Sequence, residues 1–502
     1  MARRRIPDWR LCIAPTAIII GPPELCQRLE RQLELLDDRP VSLGWIITGM
    51  RDTDVIADIA SPEAPLLGTI NDLESLIEKH HPGIALLTLP AVMTDLIISI
   101  RTRLRKLGVP DRFMPTLEDQ IEGVGPRTYI DIDLAKLIDR EPLAIDEQAL
   151  RSVIENKAVL ITGAGGSIGS ELARIASRFN PSKLLLMDRS ESTLFDIDRQ
   201  IARNAPGLAR RAILQDVVQV AGTMRRFEQY QPQVIFHAAA HKHVPMMEDH
   251  PGQAIDNNLF GTKSVADAAH AIGAERFVMI STDKAVNPSS IMGATKRLAE
   301  LYIQHINRES KTAFSMVRFG NVLGSSGSVL ETWSKQIADG GPVTVTDPRM
   351  TRYFMTIPEA AALVIQSASL VDENVEHGEV FLLDMGEPVN VLEMARRFIT
   401  LHGLQPQQVG EHDPKSGAGG IEILITGARP GEKLHESLAF DAETMKPTRH
   451  PDINIWMLST PDHRYIGEVL KTLHPDHRSG DPGEVAKAIR DLIPEMSEPI
   501  AA

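Results

Sequence analysis

The chain has 502 residues, of which 43% are hydrophobic and 24% charged, and its formal net charge is −14. This composition is typical of globular proteins, and at roughly 150 residues per domain the length predicts two to four domains. The acidic balance argues against a nucleic-acid partner, because phosphate backbones are bound by clustered Lys and Arg. The only cysteines, Cys12 and Cys26, exclude a disulfide framework and predict a reducing, cytoplasmic location.

The first region, residues 1–126, alternates short apolar runs with amphipathic stretches and predicts a small α/β domain. Strands are predicted at Ala17–Gly21, Val41–Thr48 and Gly83–Leu87, and helices at Glu24–Leu36 and Thr94–Leu107. The first turn of this domain contains Pro22 and Pro23, which lack the amide donors that a phosphate would need. This turn therefore favours a ligand-free scaffold over a second nucleotide site. No run of ~18 apolar residues occurs, so no transmembrane helix is predicted.

A linker at residues 127–156 leads into the main α/β domain, which is predicted at residues 157–320. From the strand Lys157–Ile161 onward, strands and helices alternate, and this pattern predicts a doubly wound parallel sheet of the Rossmann type. Residues 321–502 are more irregular and rich in Gly, Pro and Arg. They are predicted to form mainly the substrate-binding region.

A glycine-rich turn follows the first strand of the main domain, with glycines at Gly163, Gly166 and Gly169. The strand before it and the helix after it are the context of a dinucleotide-binding loop. Gly163 would permit the tight turn, Gly166 the approach of the pyrophosphate, and Gly169 the contact between helix and strand. Ser167 and Ile168 lie at the start of the helix, which would face the negative charge.

The second strand ends at Asp188, about 20 residues beyond the glycines, where a carboxylate hydrogen-bonds the ribose hydroxyls. This carboxylate favours NAD. The adjacent Arg189 leaves NADP as the less favoured cofactor, because a guanidinium accommodates a 2′-phosphate. Other candidate cofactor contacts follow the third and fourth strands: Asp216, Val217, Ala238, Ala239 and Ala240.

A polar triplet, Thr282, Asp283 and Lys284, follows the strand Arg276–Ser281, at the end where open α/β sheets bind ligands. Asp283 would supply a proton if the site raises its pKa. Lys284 would accept a proton if desolvation or a neighbouring cation lowers its pKa. The alternative interpretation of the triplet alone is a polar loop that caps a helix.

The next helix carries Met292 and Lys296 one turn apart on the same face. The segment resembles the catalytic segment of short-chain dehydrogenases, with methionine in place of the usual tyrosine. A thioether cannot take the proton from a hydroxyl that is being oxidised. We therefore hypothesise that Thr282, relayed to water or to Asp283, assists deprotonation, and that Lys296 reaches the nicotinamide ribose.

Four histidines, His237, His241, His243 and His250, suggest a metal site, but no carboxylate or thiol set completes a coordination geometry. No metal is therefore predicted. Lys242 and His243 are interpreted instead as contacts to a substrate phosphate or sugar.

From about residue 127 to 450, the chain resembles the polysaccharide-biosynthesis branch of extended short-chain dehydrogenases, the nucleotide-sugar 4,6-dehydratases that act on UDP-N-acetylglucosamine. The resemblance is carried by Asp139–Pro142, Thr162–Leu172, Ala238–Pro245, Ser281–Lys284, Met292–Lys296, Val317–Gly324 and Thr426–Leu434. Methionine at position 292 is typical of one group of members, so it indicates a subtype and not an inactive enzyme.

The resemblance implies a hydride cycle on a UDP-N-acetylhexosamine. NAD oxidises C4, Lys284 removes the C5 proton, Asp283 protonates the departing C6 hydroxyl, and the hydride returns to C6. It also implies that Asn321, Arg352, Arg429 and Glu432 hold the UDP moiety, and that Asn258 is either an active-site residue or a helix cap. The product would be a 4-keto-6-deoxy sugar with retained C5 configuration, and a homo-oligomer is expected. A C4 epimerase, a C5-inverting dehydratase and a non-catalytic NAD-binding scaffold remain as alternatives.

Overall fold

A computed structural model of the chain describes residues 16–34, 40–48, 65–90, 93–114, 134–138, 140, 145–371, 380–402, 404–408, 420–438, 445–456, 461–493 and 495–496. The chain divides into two compact units. The first comprises Met1–Ile132, Gly340–Pro342 and Phe398–Ile423, and the second comprises Asp133–Asp339, Val343–Arg397 and Leu424–Ala502. Cys12 and much of the predicted linker lie outside the described residues, whereas Cys26 is buried as a free thiol.

The first unit contains a sheet of five parallel strands in the order β3-β2-β1-β4-β5. Its strands are β1 (Thr16–Gly21), β2 (Val41–Ile47), β3 (Leu66–Thr69), β4 (Ile84–Leu87) and β5 (Asp111–Phe113), and its helices are α1 (Pro23–Leu33), α2 (Leu73–His80) and α3 (Thr94–Lys106). The apolar runs predicted as strands are buried, with Ile19 and Ile20 fully inaccessible. The α/β class predicted for this region is therefore confirmed.

Within residues 1–126, the elements β3, α2 and β5 were not predicted. Strand β3 has only four residues and includes Gly68, while β5 is the polar triplet Asp111–Phe113. Such short segments carry no readable hydrophobic period, and they pair because strands β2 and β4 offer them free edges.

The second unit is built around a nine-stranded sheet. The strands that follow the first five are β6 (Ala158–Thr162), β7 (Lys183–Asp188), β8 (Arg210–Leu214), β9 (Val234–His237), β10 (Arg276–Ile280), β11 (Ala313–Arg318), β12 (Asn321–Leu323), β13 (Val343–Val345), β14 (Thr351–Arg352), β15 (Phe354–Thr356), β16 (Val380–Leu383), β17 (Val389–Asn390), β18 (Gln405–Gln408), β19 (Gly420–Ile425), β20 (Met445–Pro447) and β21 (Ile453–Trp456). The order across the large sheet is β8-β7-β6-β9-β10-β11-β16-β21-β20.

Seven strands of this sheet, from β8 to β16 in the spatial order, are parallel to one another. Strand β21 pairs antiparallel to β16, and β20 pairs antiparallel to β21. The doubly wound α/β prediction is confirmed. The strand order reverses between β6 and β9, and the carboxyl ends of these strands open the crevice in which such sheets bind ligands. The sheet also takes β16, β20 and β21 from beyond residue 320, where the sequence predicted mainly a substrate-binding region.

Fourteen further α-helices follow along the described part of the chain, and some of them pack on the two faces of the large sheet. They are α4 (Leu134–Leu137), α5 (Glu147–Ile154), α6 (Ser167–Arg178), α7 (Glu191–Asn204), α8 (Val220–Tyr230), α9 (Val244–Asp249), α10 (Pro251–Ala254), α11 (Gly261–Ile272), α12 (Ile291–Asn307), α13 (Val329–Ala338), α14 (Ile357–Leu370), α15 (Val391–Leu401), α16 (His463–Leu473) and α17 (Pro482–Leu492). Helix α12 packs into the core on one face, and α14 packs into the core on the other. Within the described part of the chain, every helix is too short or too polar to cross a membrane.

Candidate active site

The glycine-rich turn lies between β6 and α6, as the sequence predicted. Gly163 has φ +67°, and a Cβ on it would lie 2.7 Å from the backbone nitrogen of Ala239. A Cβ on Gly169 would lie 2.0 Å from the carbonyl oxygen of Gly163. Helix α6 begins after Gly166 without a side-chain cap. The start of this helix therefore offers backbone amides to an anion, and the turn fits a dinucleotide pyrophosphate.

Asp188 lies at the end of β7, beside this turn. Its Oδ2 accepts a hydrogen bond from the Gly165 amide at 2.9 Å, and its Oδ1 accepts one from the Ser190 amide at 2.9 Å. These bonds hold the carboxylate at the mouth of the turn.

A cavity of about 530 Å³ lies next to the end of β7. It is lined by Arg189, Ser190, Leu214, Gln215, Asp216 and Gln219. The side chain of Val217 is buried in the core, so this residue can offer only its backbone. Ala238 and Ala239 are half-buried and Ala240 is exposed, which leaves the end of β9 open to a ligand.

His237 ends β9 and is buried beneath the site. Its Nδ1 lies 2.8 Å from Thr162 Oγ1, and its Nε2 lies 2.9 Å from Thr262 Oγ1. Burial, together with the positive charge of Lys296, lowers the pKa of His237 to about 3. Within the described residues, no three His, Cys, Asp or Glu side chains are grouped so that they could hold a metal ion.

The neutral imidazole of His237 predicts a loss of stability in acid. Because His237 binds its proton more weakly in the folded protein than in the unfolded chain, the stabilisation is lost as pH falls from about 6.5 towards 3. The unfolding free energy should fall by up to about 1.4 kcal/mol per pH unit in this window. His237→Gln should remove that part of the slope in urea unfolding measured between pH 4 and 7. An unchanged slope would contradict the assignment.

The triplet after β10 forms a hydrogen-bonded chain. Thr282 Oγ1 donates to Asp283 Oδ1 at 2.9 Å, and Lys284 Nζ donates to the same oxygen at 2.9 Å. Thr282 also caps the 3₁₀ turn Asp283–Ala285 by accepting from the Lys284 amide at 3.3 Å. The capping interpretation is therefore correct for Thr282, but it does not account for the buried carboxylate and ammonium that follow it.

Asp283 is fully buried, and its Oδ2 accepts no hydrogen bond from the described residues. Gly320 leaves room for this oxygen, since a Cβ there would lie 3.1 Å from it. A buried carboxylate oxygen without a donor is costly. A hydroxyl group of a bound ligand could donate the missing hydrogen bond to Asp283 Oδ2.

Lys284 is surrounded by acceptors. Besides Asp283, its Nζ lies 3.2 Å from Asn321 Oδ1 and 3.7 Å from Glu436 Oε1. Burial lowers the pKa of Lys284, but the carboxylates of Asp283 and Glu436 outweigh burial and raise it above the usual value. The condition under which the sequence predicted Lys284 to accept a proton, a lowered pKa, is therefore not met in this arrangement, which favours the ammonium form.

Lys296 and Met292 lie on α12, next to this chain. Lys296 Nζ donates to the carbonyl oxygen of Ile280 at 2.7 Å, and burial lowers the pKa of Lys296 to about 8. The Met292 side chain is 3% exposed and belongs to the core. Within this arrangement, the thioether is packing and the lysine is anchored at the end of β10.

Two of the predicted substrate residues lie near the glycine-rich turn. Lys242 Nζ donates to the Ser326 carbonyl oxygen at 2.7 Å and to Ser325 Oγ at 3.3 Å. The Ser326 amide donates to Ser167 Oγ at 3.0 Å. A Cβ on Gly327 would lie 2.7 Å from the His243 ring. The structure thus brings Lys242 and His243 to the loop after Gly324, beside the start of α6.

The other predicted substrate residues are divided between two places. Arg352 is buried and donates to the carbonyl oxygens of Thr351, Leu434 and Lys433. Arg429 is exposed and donates to Glu432. Asn321, which the resemblance implies as a contact of UDP, accepts a hydrogen bond from Lys284 Nζ at 3.2 Å.

Asn258 does not begin a helix, so the interpretation of it as a cap is wrong. It lies in a π turn, Ile255–Phe260, inside a run of helix that begins at Pro251. Its side chain is fully buried, accepts from the His241 amide at 2.8 Å and donates to Thr295 Oγ1 at 3.1 Å. These contacts fix the loop after β9 to α12.

Glu436 is the residue that sequence reasoning missed. It follows the resemblance string Thr426–Leu434 by two positions, yet nothing in the sequence distinguishes it from exposed glutamates. Another string that carries the resemblance is Asp139–Pro142, in which the structure describes only Arg140. Its Nε donates to Glu359 Oε1 at 2.6 Å.

Comparison with known proteins places the chain in a family. The profile of a family described as polysaccharide biosynthesis protein matches residues 159–457, more than half of the chain. The chain belongs to the polysaccharide biosynthesis protein family. The matched residues contain the glycine-rich turn, the Thr282–Lys284 chain and Glu436.

Individual relatives agree with this assignment. The capsular polysaccharide biosynthesis protein CapD of Staphylococcus aureus is 41% identical over 374 residues, which cover 74% of this chain and 60% of that protein. A UDP-N-acetylglucosamine 4,6-dehydratase (inverting) of Campylobacter jejuni is 30% identical over 292 residues, which cover 57% of this chain and 78% of that protein. The X-ray structure of Pen from Bacillus thuringiensis has 29% identity and a TM-score of 0.53, and the match covers 61% of this chain and 90% of that one.

Proposed function

We propose that this family member is an NAD-dependent UDP-N-acetylglucosamine 4,6-dehydratase that retains the configuration at C5. The observation that carries the proposal is the hydrogen-bonded chain of Thr282, Asp283 and Lys284 at the carboxyl end of β10. A C4 epimerase also oxidises C4 but has no need of an adjacent acid and base. The 4,6-dehydratase activity of the Campylobacter relative supports the reaction type.

The residues around the glycine-rich turn fit a dinucleotide. The start of α6 would meet the pyrophosphate, Asp188 the adenosine ribose, and Lys296 the nicotinamide ribose. When bound, NAD would supply the hydride acceptor for C4 and the hydride donor for C6. The preference for NAD over NADP rests on the carboxylate of Asp188, which would repel a 2′-phosphate. Arg189 is exposed beside it and leaves NADP as the less favoured cofactor.

The proton transfers are assigned to residues of the triplet. Thr282 would accept the C4 hydroxyl proton and pass its own to Asp283, because its Oγ1 already donates to Asp283 Oδ1. Asp283 would then hold the proton that leaves with the C6 hydroxyl as water. Lys284 would take the C5 proton and later deliver one of its three ammonium protons to the same face of C5, which is why we propose retention.

The UDP moiety is assigned to polar and charged side chains outside this triplet. Lys242 and His243 lie beside the start of α6, where a second diphosphate would meet positive charge. Arg429 and Glu432 are proposed to exchange their mutual ion pair for contacts with UDP. Arg352 would act indirectly, through the loop carbonyls that it holds.

The product from UDP-N-acetylglucosamine and added NAD tests the reaction. We expect a 4-keto-6-deoxy product whose mass is lower by one water, with NMR in deuterated water showing deuterium at C5 and an unchanged C5 configuration. An unchanged mass with a C4 epimer would identify an epimerase. Tight NAD binding without turnover of any UDP-sugar would indicate a scaffold. The cytoplasmic location and the homo-oligomeric state stay predictions.

A further inference from the structure

A third carboxylate faces the acid-base chain. The Glu436 side chain is 4% exposed, and its Oε1 lies 3.7 Å from Lys284 Nζ and 3.9 Å from Arg352 Nε. Its Oε2 is buried and accepts no hydrogen bond from the part of the chain that the structure describes. This oxygen is therefore an acceptor that no donor of the described residues uses.

The loop that carries Glu436 is fastened beside the triplet. Arg352 donates to the carbonyl oxygens of Lys433 and Leu434 at 2.8 and 3.2 Å. Lys433 Nζ donates to the Val286 carbonyl oxygen at 2.7 Å, just beyond the 3₁₀ turn. Glu436 is therefore held near Lys284 from both sides.

The proposed reaction leaves one proton to be accounted for. Lys284 must be a neutral amine to remove the C5 proton, but the two carboxylates beside it keep it as an ammonium. Asp283 cannot take this proton, because in the proposed cycle it receives the proton of the C4 hydroxyl. The charged groups that face Glu436 are Lys284, Arg352, Lys433 and, beyond Lys284, Asp283.

We propose that Glu436 is a positioning residue for the base and accepts the ammonium proton of Lys284 before the C5–H bond breaks. This inference rests on the proposed function. An N–H bond of Lys284 breaks and an O–H bond forms on Glu436, which gives a neutral amine and a neutral carboxylic acid. Approach of the two groups by about 1 Å, or one bridging water, brings them within proton-transfer reach.

The remaining steps then balance. The amine takes the C5 proton, the electrons of the C5–H bond form the C5–C6 double bond, and the C6 oxygen leaves as water with the proton from Asp283. After hydride addition to C6, Lys284 delivers one of its ammonium protons, which in deuterated water can be a deuteron, to C5. Glu436 then returns its stored proton to Lys284, so the site ends each turnover as it began.

The test separates C4 oxidation from C5 deprotonation. In Glu436→Gln, we expect the rate of C5 deuterium incorporation to fall by about 10²-fold or more, because one acid-base group typically contributes 10²–10⁴-fold. The formation of NADH in a single turnover should stay within about three-fold. The residual exchange should rise with pH, since Lys284 must then lose its proton to solvent. Glu393→Gln, an exposed glutamate on α15, is the matched control and should leave both rates unchanged.

Three results would overturn the inference. Exchange in Glu436→Gln within about three-fold of the original protein would show that the carboxylate is not needed. A proportional fall of oxidation and exchange, with no steeper pH dependence, would indicate a merely structural role. If Glu436→Gln does not fold, Glu436→Asp decides: we expect partial exchange with normal oxidation, and a proportional loss of both contradicts the idea. Absence of a dehydrated product from the unaltered protein would instead refute the proposed function itself.

Discussion

Lys284→Ala is expected to abolish dehydration while the affinity for UDP-N-acetylglucosamine stays within a few fold. The variant loses the group that removes the C5 proton, and we expect kcat to fall by about 10²–10⁴-fold. Binding should survive, because Lys242, His243 and Arg429, the proposed contacts of the diphosphate, are untouched. The measurements are product formation by mass spectrometry and UDP-sugar binding by calorimetry.

Controls must account for the charge that Lys284 also neutralises. Its loss leaves the buried Asp283 without its cation, so thermal unfolding of the variant should be recorded beside activity. Lys487→Ala, which removes an exposed lysine on α17, should change neither measurement. If folded Lys284→Ala keeps most of its turnover, the assignment of the base is wrong.

Glu300→Gln should lower the free energy of unfolding by about 3–5 kcal/mol, the range for breaking a buried ion pair. Glu300 and Arg318 are both inaccessible to solvent, and Arg318 Nε donates to Glu300 Oε1 at 2.7 Å. Burial raises the pKa of Glu300, but the charge of Arg318 outweighs it and keeps the pKa below its usual value. The amide would leave the buried guanidinium without its counter-charge.

The same substitution should also affect the candidate active site, because Glu300 accepts a hydrogen bond next to the triplet. Ser281 Oγ donates to Glu300 Oε1 at 2.7 Å, and Ser281 directly precedes the triplet. Guanidinium chloride unfolding measures the stability change, with the exposed Glu393→Gln as the control, which should stay within about 0.5 kcal/mol. A loss below about 1 kcal/mol in Glu300→Gln would mean that Arg318 finds adequate compensation elsewhere.

Much of the fold could be predicted because its strands are local signals. Strands β6, β7, β9 and β10 are covered on both faces, so they appear in the sequence as apolar runs. The ends predicted for β6 and β10 agree with the structure to within a residue. The strands β16, β20 and β21 were missed as parts of the large sheet. Each has four residues or fewer, and which sheet a short strand joins depends on packing against distant strands.

The candidate site divides in the same way. The glycine-rich turn and the carboxylate at 188 depend on spacing along one strand–helix–strand unit, and the sequence alone determined them. The ionisation of Lys284 was decided only by the tertiary structure. Its pKa depends on the distance to Asp283, which is its neighbour, and to Glu436, which lies 152 positions away in the chain (436 − 284) and within 3.7 Å in space. Electrostatic energy depends on separation in space and on burial, and neither quantity can be obtained from the order of the residues alone.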